Sequence, residues 1–412
     1  MKIINLGEIA KIDISNVDKK TKGTDSPVVL CNFVDVYHNW AITNDLLPNL
    51  MKSTANENQI SRFSIRKGQV AITKDSETRD DIGVSTYIAD DISNGVLGYH
   101  CALITPDESI LTGKYLNVVL HTPYAQKYFE LNASGSGQRY TLTVDIIAGF
   151  PVPVPDIETQ RIVGDFYSAI DQKITTNNRI NAELESMAKT IYDYWFTQFD
   201  FPDENGKPYK SSGGKMVWNE ELKREIPEGW GVTHIGDITI CHDSKRIPLS
   251  SKERENKKGE IPYYGATGIM DYVDEAIFDG DYVLMAEDGS VMNEKGNPIL
   301  QRVSGKVWIN NHAHVLEPSK KHCCKLLMML LRDIQVSKIK TGSIQMKINQ
   351  ENMNKIAVPD IPDDLIVLIN DQLNTIDKKI LHNNHENQQL SSLRDWLLPM
   401  LMNGQVGFKG VE

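Results

Sequence analysis

The sequence predicts an α+β chain: two α/β-mixed domains and two long antiparallel helices forming a coiled coil, ordered as an internal pseudo-two-fold repeat. Three observations predict it. Shifting the sequence by 206 positions lays residues 170–184 on 376–390 with eight of fifteen positions identical, a match that marks an internal repeat. Both stretches space their apolar residues by alternating threes and fours, the period of a helix with one narrow apolar seam. The segments before each are short apolar or β-branched runs bounded by Gly, Asp, Asn and Ser turns, such as Val28-Val29-Leu30, Gln69-Val70-Ala71-Ile72 and Tyr282-Val283-Leu284-Met285.

Taken in order, residues 1–155 form the first mixed domain and 156–200 the first long helix. Residues 201–233, containing FPDENGKPYKSSGG, read as a linker. The second mixed domain spans 234–358, the second long helix 359–402, and 403–412 is a tail. Shorter helices are expected near 113–131 and 320–338. The repeat reaches upstream of the helices. Val152-Pro153 falls on Val358-Pro359, and at a shift of 212 residues 98–106 meet 310–318, pairing His100 with His312 and Pro106 with Pro318. Leu6-Gly7-Glu8-Ile9 echoes Ile235-Gly236-Asp237-Ile238.

The seam of the first helix runs through Val163, Tyr167, Ile170, Ile174, Asn177, Asn181, Leu184, Ala188, Ile191 and Trp195. That of the second runs through Ile369, Leu373, Ile376, Ile380, Asn383, Asn387, Leu390, Leu397 and Leu401, with Arg394 as its one break. Asparagines in such a seam cost stability and fix register or orientation. The alternative is two independent amphipathic helices, each lying on its own domain.

Composition narrows the function classes. Hydrophobic residues at 40% and charged residues at 24% are ordinary globular values, and the length suits two or three domains. A start of MKIINLGEIAK and the lack of a long apolar run favour a cytoplasmic protein without a membrane. Five cysteines without a CxxC spacing favour reduced thiols. A net charge of −11 argues, by itself, against a nucleic-acid partner. Residues 156–200 and 359–402 each carry −4, however, so the remainder is nearly neutral and able to gather cations on one face.

Catalytic motifs are weak. Asn297-Pro298-Ile299-Leu300 lacks the second proline and the aromatic of an adenine methyltransferase motif. No GxxxxGK[ST] phosphate loop occurs. Pro202-Asp203 with Glu255-Asn256-Lys257 could be drawn as a nuclease site, but reads better as solvated charge. His312-Ala313-His314 sets two imidazoles on one strand face without a third ligand at reasonable spacing, so no metal is expected.

Two Gly/Ser loops at equivalent places in the repeat are the better candidates, for nucleic-acid contact. The first offers Ser136, Gln138, Arg139 and Tyr140, and the second Ser343, Gln345 and Lys347; Lys74 is a further candidate in the first domain. Glycine lets backbone N–H groups approach a phosphate, Gln pairs with adenine and Arg with guanine. Tyr263, Tyr264 and Thr267 could stack on or pack along DNA. The bland alternatives are ordinary hairpin turns and ordinary strand tyrosines.

Pro153-Val154-Pro155 followed by Glu158-Thr159-Gln160-Arg161-Ile162-Val163 is similar to the proline-rich approach to the first helix in the specificity subunits of type I restriction-modification systems. Tyr194-Trp195-Phe196 with Phe199, Phe201 and Pro202 resembles the aromatic end of that helix. Ile226-Pro227-Glu228-Gly229-Trp230 with Ile235-Gly236-Asp237-Ile238 resembles the opening of the second domain. Tyr263-Tyr264-Gly265-Ala266-Thr267-Gly268 and Thr341-Gly342-Ser343-Ile344-Gln345 are family-like, and together the phrases span nearly the whole chain. There are departures. Ile366 stands where the first copy has Gln160, and the tract of Phe33, Tyr37, His38 and Trp40 has no clear second copy.

The resemblance implies two target-recognition domains that read a bipartite double-stranded DNA site, and a chain that does no chemistry itself. It implies as partners two methyltransferase subunits carrying S-adenosylmethionine and two restriction subunits using ATP and Mg2+, with no cofactor on this chain. A helix of roughly 40 residues, about 60 Å long, would then set the half-site separation.

Overall fold

The computed structural model describes residues 2–137, 139–319, 321–342 and 346–402, apart from the side chains at 398–399 and 401–402. The tail 403–412 and the seam side chain of Leu401 therefore lie outside the described residues. Contacts divide the chain into two units, Met1–Thr176 with Glu386–Glu412, and Asn177–His385.

In the first unit, Lys2–Asn5 pairs antiparallel with Pro151–Val154, matching Lys2 to Val154. The main sheet has five strands in the order Ala10–Ile14, Cys101–Pro106, Val70–Thr73, Ser85–Ile88 and Ala41–Ile42. The last strand joins in parallel, the others antiparallel. A smaller sheet holds Met51–Ala55, Ser26–Cys31 and Gly95–Leu97.

The second unit repeats the plan. Gly231–His234 pairs antiparallel with Ala357–Asp360, matching Gly231 to Asp360. Its sheet runs Thr239–Cys241, Ala313–Pro318, Phe278–Ala286, Leu300–Ile309, Lys258–Tyr264 and Ile269–Val273. Again the fifth strand joins in parallel. Ala10 opposite Pro106 in one sheet corresponds to Thr239 opposite Pro318 in the other. In the first unit the central strands Val70–Thr73 and Ser85–Ile88 are buried on both faces, because helices pack against each face.

Sequence echoes have packing causes. Gly7 and Gly236 sit in one-turn helices, Leu6–Ile9 and Ile235–Ile238. A Cβ on Gly7 would lie 2.7 Å from Ala148 Cβ, and one on Gly236 would lie 2.9 Å from Asn354 Cβ. Each unit thus demands glycine where the turn meets a second short helix.

The helical stretch expected near 113–131 is two helices, Gly113–Leu120 and Pro123–Asn132. Thr122 caps the second and Pro123 occupies its first turn, so the chain cannot run through as one helix. Near 320–338 the helix is Cys324–Leu331, followed by a single turn Val336–Lys338.

One expectation is corrected. Residues 201–233 are folded rather than a free linker. Phe201 stacks on Tyr209 and Trp230 at 4.8 Å and 5.2 Å between ring centroids. Met216–Asn219 pairs with Arg224–Pro227 as a hairpin, and Asp200 accepts hydrogen bonds from the Ser211 amide (2.7 Å) and hydroxyl (2.6 Å). The polar, glycine-rich composition belongs to tight turns between aromatic anchors, which composition alone cannot distinguish from a tether.

The long helices are Ile157–Tyr192, continued by one wide turn Asp193–Thr197, and Asp363–Met402. Within the first unit, the Tyr167 hydroxyl donates to the Arg394 carbonyl (2.9 Å), and Lys173 pairs with Glu386 at 3.1 Å. Moving up one helix moves down the other, so the two run antiparallel there. Within the second unit, Asn383 Nδ2 donates to Asn181 Oδ1 and Asn181 Nδ2 to Asn384 Oδ1, both at 2.8 Å. Seam residues Ile170, Asn177, Ile376, Ile380 and Asn383 are buried, while Ile174, Asn181, Leu184, Asn387 and Leu390 are half-buried.

Gln160 ties the first long helix to its own unit. It is fully buried; its Oε1 accepts the Thr112 amide (2.9 Å) and its Nε2 donates to the Ile110 and Pro155 carbonyls. Ile366, its counterpart, is buried in the second core. The same duty passes to Asn370, one turn further along, whose Oδ1 accepts the Cys323 amide (3.2 Å) and whose Nδ2 donates to the Lys321 carbonyl (2.8 Å). Thr112 and Cys323 both cap the helix that follows, so the clamp serves the same junction in each copy.

Candidate nucleic-acid interface

In the first unit the Gly/Ser loop is a hairpin, Ser134–Ser136 with Arg139–Thr141, extended by Asp75–Ser76. Gly135 has φ +116, and a Cβ there would lie 2.3 Å from the Arg139 carbonyl, so the turn requires glycine. Asp75 is the post beneath it. Its carboxylate meets Lys74 Nζ at 2.7 Å, His100 Nδ1 at 2.8 Å and Arg139 Nη2 at 3.5 Å. Burial pushes this carboxyl up, but hydrogen bonds from His100, Lys74 and Thr141 outweigh burial and hold it at about 2.

A cleft of about 530 Å3 opens beside the hairpin, lined by Phe33, Ser76, Thr78, Asp81, His100 and Arg139, among others. The Arg79 guanidinium lies 5.0 Å from the Tyr140 ring centre. Ser136 and Arg139 are exposed and Tyr140 is half-buried, so this hairpin offers a hydroxyl, a guanidinium and a ring edge. Lys74 is mostly covered, its charge spent on Asp75. Gln138 lies outside the described residues.

In the second unit Thr341 and Asp288 each bridge to Lys347. Lys347 is exposed and pairs with Glu287 at 2.8 Å. Glu287 also takes Arg246 at 2.6 Å, and Arg246 reaches Asp243 at 3.3 Å. Ser343 and Gln345 lie outside the described residues. Thr267 is exposed in a turn whose Gly265 and Ala266 carbonyls accept from Gln301 Nε2 at 2.9 Å each.

Tyr263 is a correction. It is 1% exposed, and its hydroxyl accepts the Leu249 amide at 2.9 Å, so it is a core residue and stacks on nothing outside. Tyr264 is half-buried and packs partly against the core. The strand alternates, and the pair was too short a stretch to tell which face was inward.

His312 and His314 part company. His314 is buried, with Nδ1 at 2.5 Å from Asp243 and Nε2 at 2.8 Å from the Ile348 carbonyl. His312 lies exposed in the preceding turn, with Nδ1 at 2.6 Å from Asp288. Cys241, Asp243 and His314 each place a donor atom within 4.8 Å of the others. Arg246 already supplies a cation to Asp243, and burial pushes the Cys241 thiol up to about 12, so we assign no metal there.

The groups beneath each loop, Asp75 with His100 and Glu287 with Arg246, were not among the sequence candidates. The one signal for them was the alignment of His100 on His312.

Comparison with known proteins is consistent across the chain. Residues 1–186 and 227–392 match the model of the type I restriction modification DNA specificity domain. The chain is 22% identical to the type I restriction enzyme HindI specificity subunit of Haemophilus influenzae, covering 84% of this chain and 88% of that one. It is 26% identical to the MjaIX specificity subunit of Methanocaldococcus jannaschii, over 74% of this chain and 71% of that one. In fold it resembles the S subunit of the type I restriction-modification system of M. genitalium, with a TM-score of 0.60, 16% identity and coverage of 97% and 95%.

Proposed function

Because the chain belongs to the type I restriction-modification DNA specificity family, whose members recognise the DNA target without catalysing reactions on it, we propose that its two units read the two parts of a bipartite double-stranded site. The observation that carries this is the repeated strand register, with Lys2 opposite Val154 in one unit and Gly231 opposite Asp360 in the other. Each unit then presents a comparable loop, carrying Ser136, Arg139 and Tyr140 in one and Lys347 in the other, with Thr267 as a further contact. Each loop brings one cation, Arg139 in the first and Lys347 in the second, but their other side chains differ, which suits two different half-site sequences.

The chain serves a restriction-modification complex, and we infer its composition as two methyltransferase subunits and two restriction subunits. S-adenosylmethionine belongs to the former and ATP and Mg2+ to the latter. Among the described residues no helix is long and apolar enough to cross a membrane, in keeping with work on DNA in the cytoplasm. The test is reconstitution: the purified chain should leave DNA unmodified, and adding its cognate methyltransferase should yield adenine methylation at one bipartite motif. Methylation without sequence preference in that mixture would overturn the assignment.

A further inference from the structure

The two units share one polar constellation beyond their backbones. Cys101 lies opposite Thr73 in the first sheet, and Ala313 opposite Ala286 in the second. One residue further out, the Lys74 amide donates to the His100 carbonyl and the Glu287 amide to the His312 carbonyl, both at 2.9 Å. The next residues are Asp75 and Asp288. Each holds the facing imidazole by Nδ1, at 2.8 Å for His100 and 2.6 Å for His312. Among the described residues Nε2 of each ring has no hydrogen-bond partner, and both rings stand at the base of the candidate DNA loop of their unit.

Their neighbours have diverged. Lys74 in one copy corresponds to Glu287 in the other, a reversal of charge. Through that reversal the Asp and His persist. Fold stability does not account for the second pair, because ion pairs of exposed side chains contribute little, and the His312 side chain is 48% exposed. A carboxylate on Nδ1 fixes the ring's orientation and leaves Nε2 as its outward group, the arrangement used where an imidazole must meet a ligand.

Resting on the DNA-reading assignment above, we propose that Asp75–His100 and Asp288–His312 are equivalent DNA-contacting pairs, one per half-site, in which the aspartate positions the ring and Nε2 hydrogen-bonds to DNA. The DNA group is a phosphate oxygen or the edge of a base. The Tyr99 ring lies tilted against the first imidazole, 3.7 Å between centroids, and His100 lines the cleft.

The test separates contact from scaffolding by side-chain shape. Asn in place of His keeps a polar atom near Nδ1 and loses Nε2, whereas Gln reaches the Nε2 position. Full-length His100→Asn, His100→Gln, His312→Asn and His312→Gln, each assembled with the cognate methyltransferase, would be titrated on two duplexes. One carries the motif mapped from cells making the unaltered chain, and the other lacks it. Each Asn variant should bind the first duplex about ten- to a hundredfold more weakly, and each Gln variant should regain most of that loss. A phosphate contact shows as equal weakening on both duplexes with a salt slope shallower by about one; a base contact shows as relaxed choice at one position of one half-site. Asn variants that bind and select like the unaltered protein, or Gln variants that fail to recover, would overturn the proposal. Absence of any sequence preference in the unaltered complex would instead overturn the DNA-reading assignment itself.

Discussion

Asp75 shows how one residue ties stability to the loop it supports. Its carboxyl is held at about 2, below the ordinary 3.8, so its charged form favours the folded state. That contribution is present above pH 4 or so and is lost as pH falls through about 2. The stability difference between the unaltered chain and Asp75→Asn should therefore shrink on acidification across this window, as followed by urea unfolding at several pH values; a difference that does not vary with pH would sink the account. Gln160 and Asn370 make a second residue-level case. Either one changed to Ala removes the partner of the half-buried amide of a helix N-cap residue, costing about 0.5–1.5 kcal/mol. Gln160→Ala should lower the urea midpoint, and Ile366→Gln should not raise it, because Asn370 already fills that role.

At the scale of elements, the short turn-helices at Gly7 and Gly236 are fixed by close approach. Gly7→Ala would press a methyl into Ala148, whose contacting atom is a Cβ on the backbone and cannot swing away. A loss of about 1–3 kcal/mol is expected from overpacking, measurable by denaturant unfolding. The long helices carry a sharper expectation. Inserting four residues after Asn181 adds about 6 Å of rise and about 40° of rotation. It displaces the turn whose Asn181 bonds Asn383 and Asn384. If paired helices set the distance between half-sites, the methylated motif in cells should gain a longer central gap with its half-sites unchanged, or methylation should vanish through failed assembly. An unaltered gap at full methylation would exclude that role.

For the whole molecule, the repeated registers give each half its own sheet, core and loop, and the proposed function makes each a separate reader. Replacing residues 1–150 by the corresponding segment of a relative should change one half of the methylated motif only, as read by methylome sequencing. Both halves changing together would contradict independent reading. The exchange leaves Gln160 in place but removes its partners at Ile110 and Thr112, so donors with an equivalent capped helix should tolerate it best.

By itself the sequence determined the repeat, the two helices with their seam and the α+β class, because periodicity and self-similarity are properties of the chain's own order. The alignment of residues 98–106 on 310–318 already marked the strands Cys101–Pro106 and Ala313–Pro318. Tertiary structure decided the rest. It made an ordered aromatic hairpin of the stretch read as a linker, since stacking among Phe201, Tyr209 and Trp230 outweighs a polar composition. It buried Tyr263, because which face of a strand turns inward depends on what packs against it. The clamp moved from Gln160 to Asn370 because a helix brings a side chain back to the same face one turn later, an equivalence invisible to position-by-position alignment. And it set Asp75 against His100 and Asp288 against His312, residues some 25 positions apart in sequence, through strand pairing that no local pattern encodes.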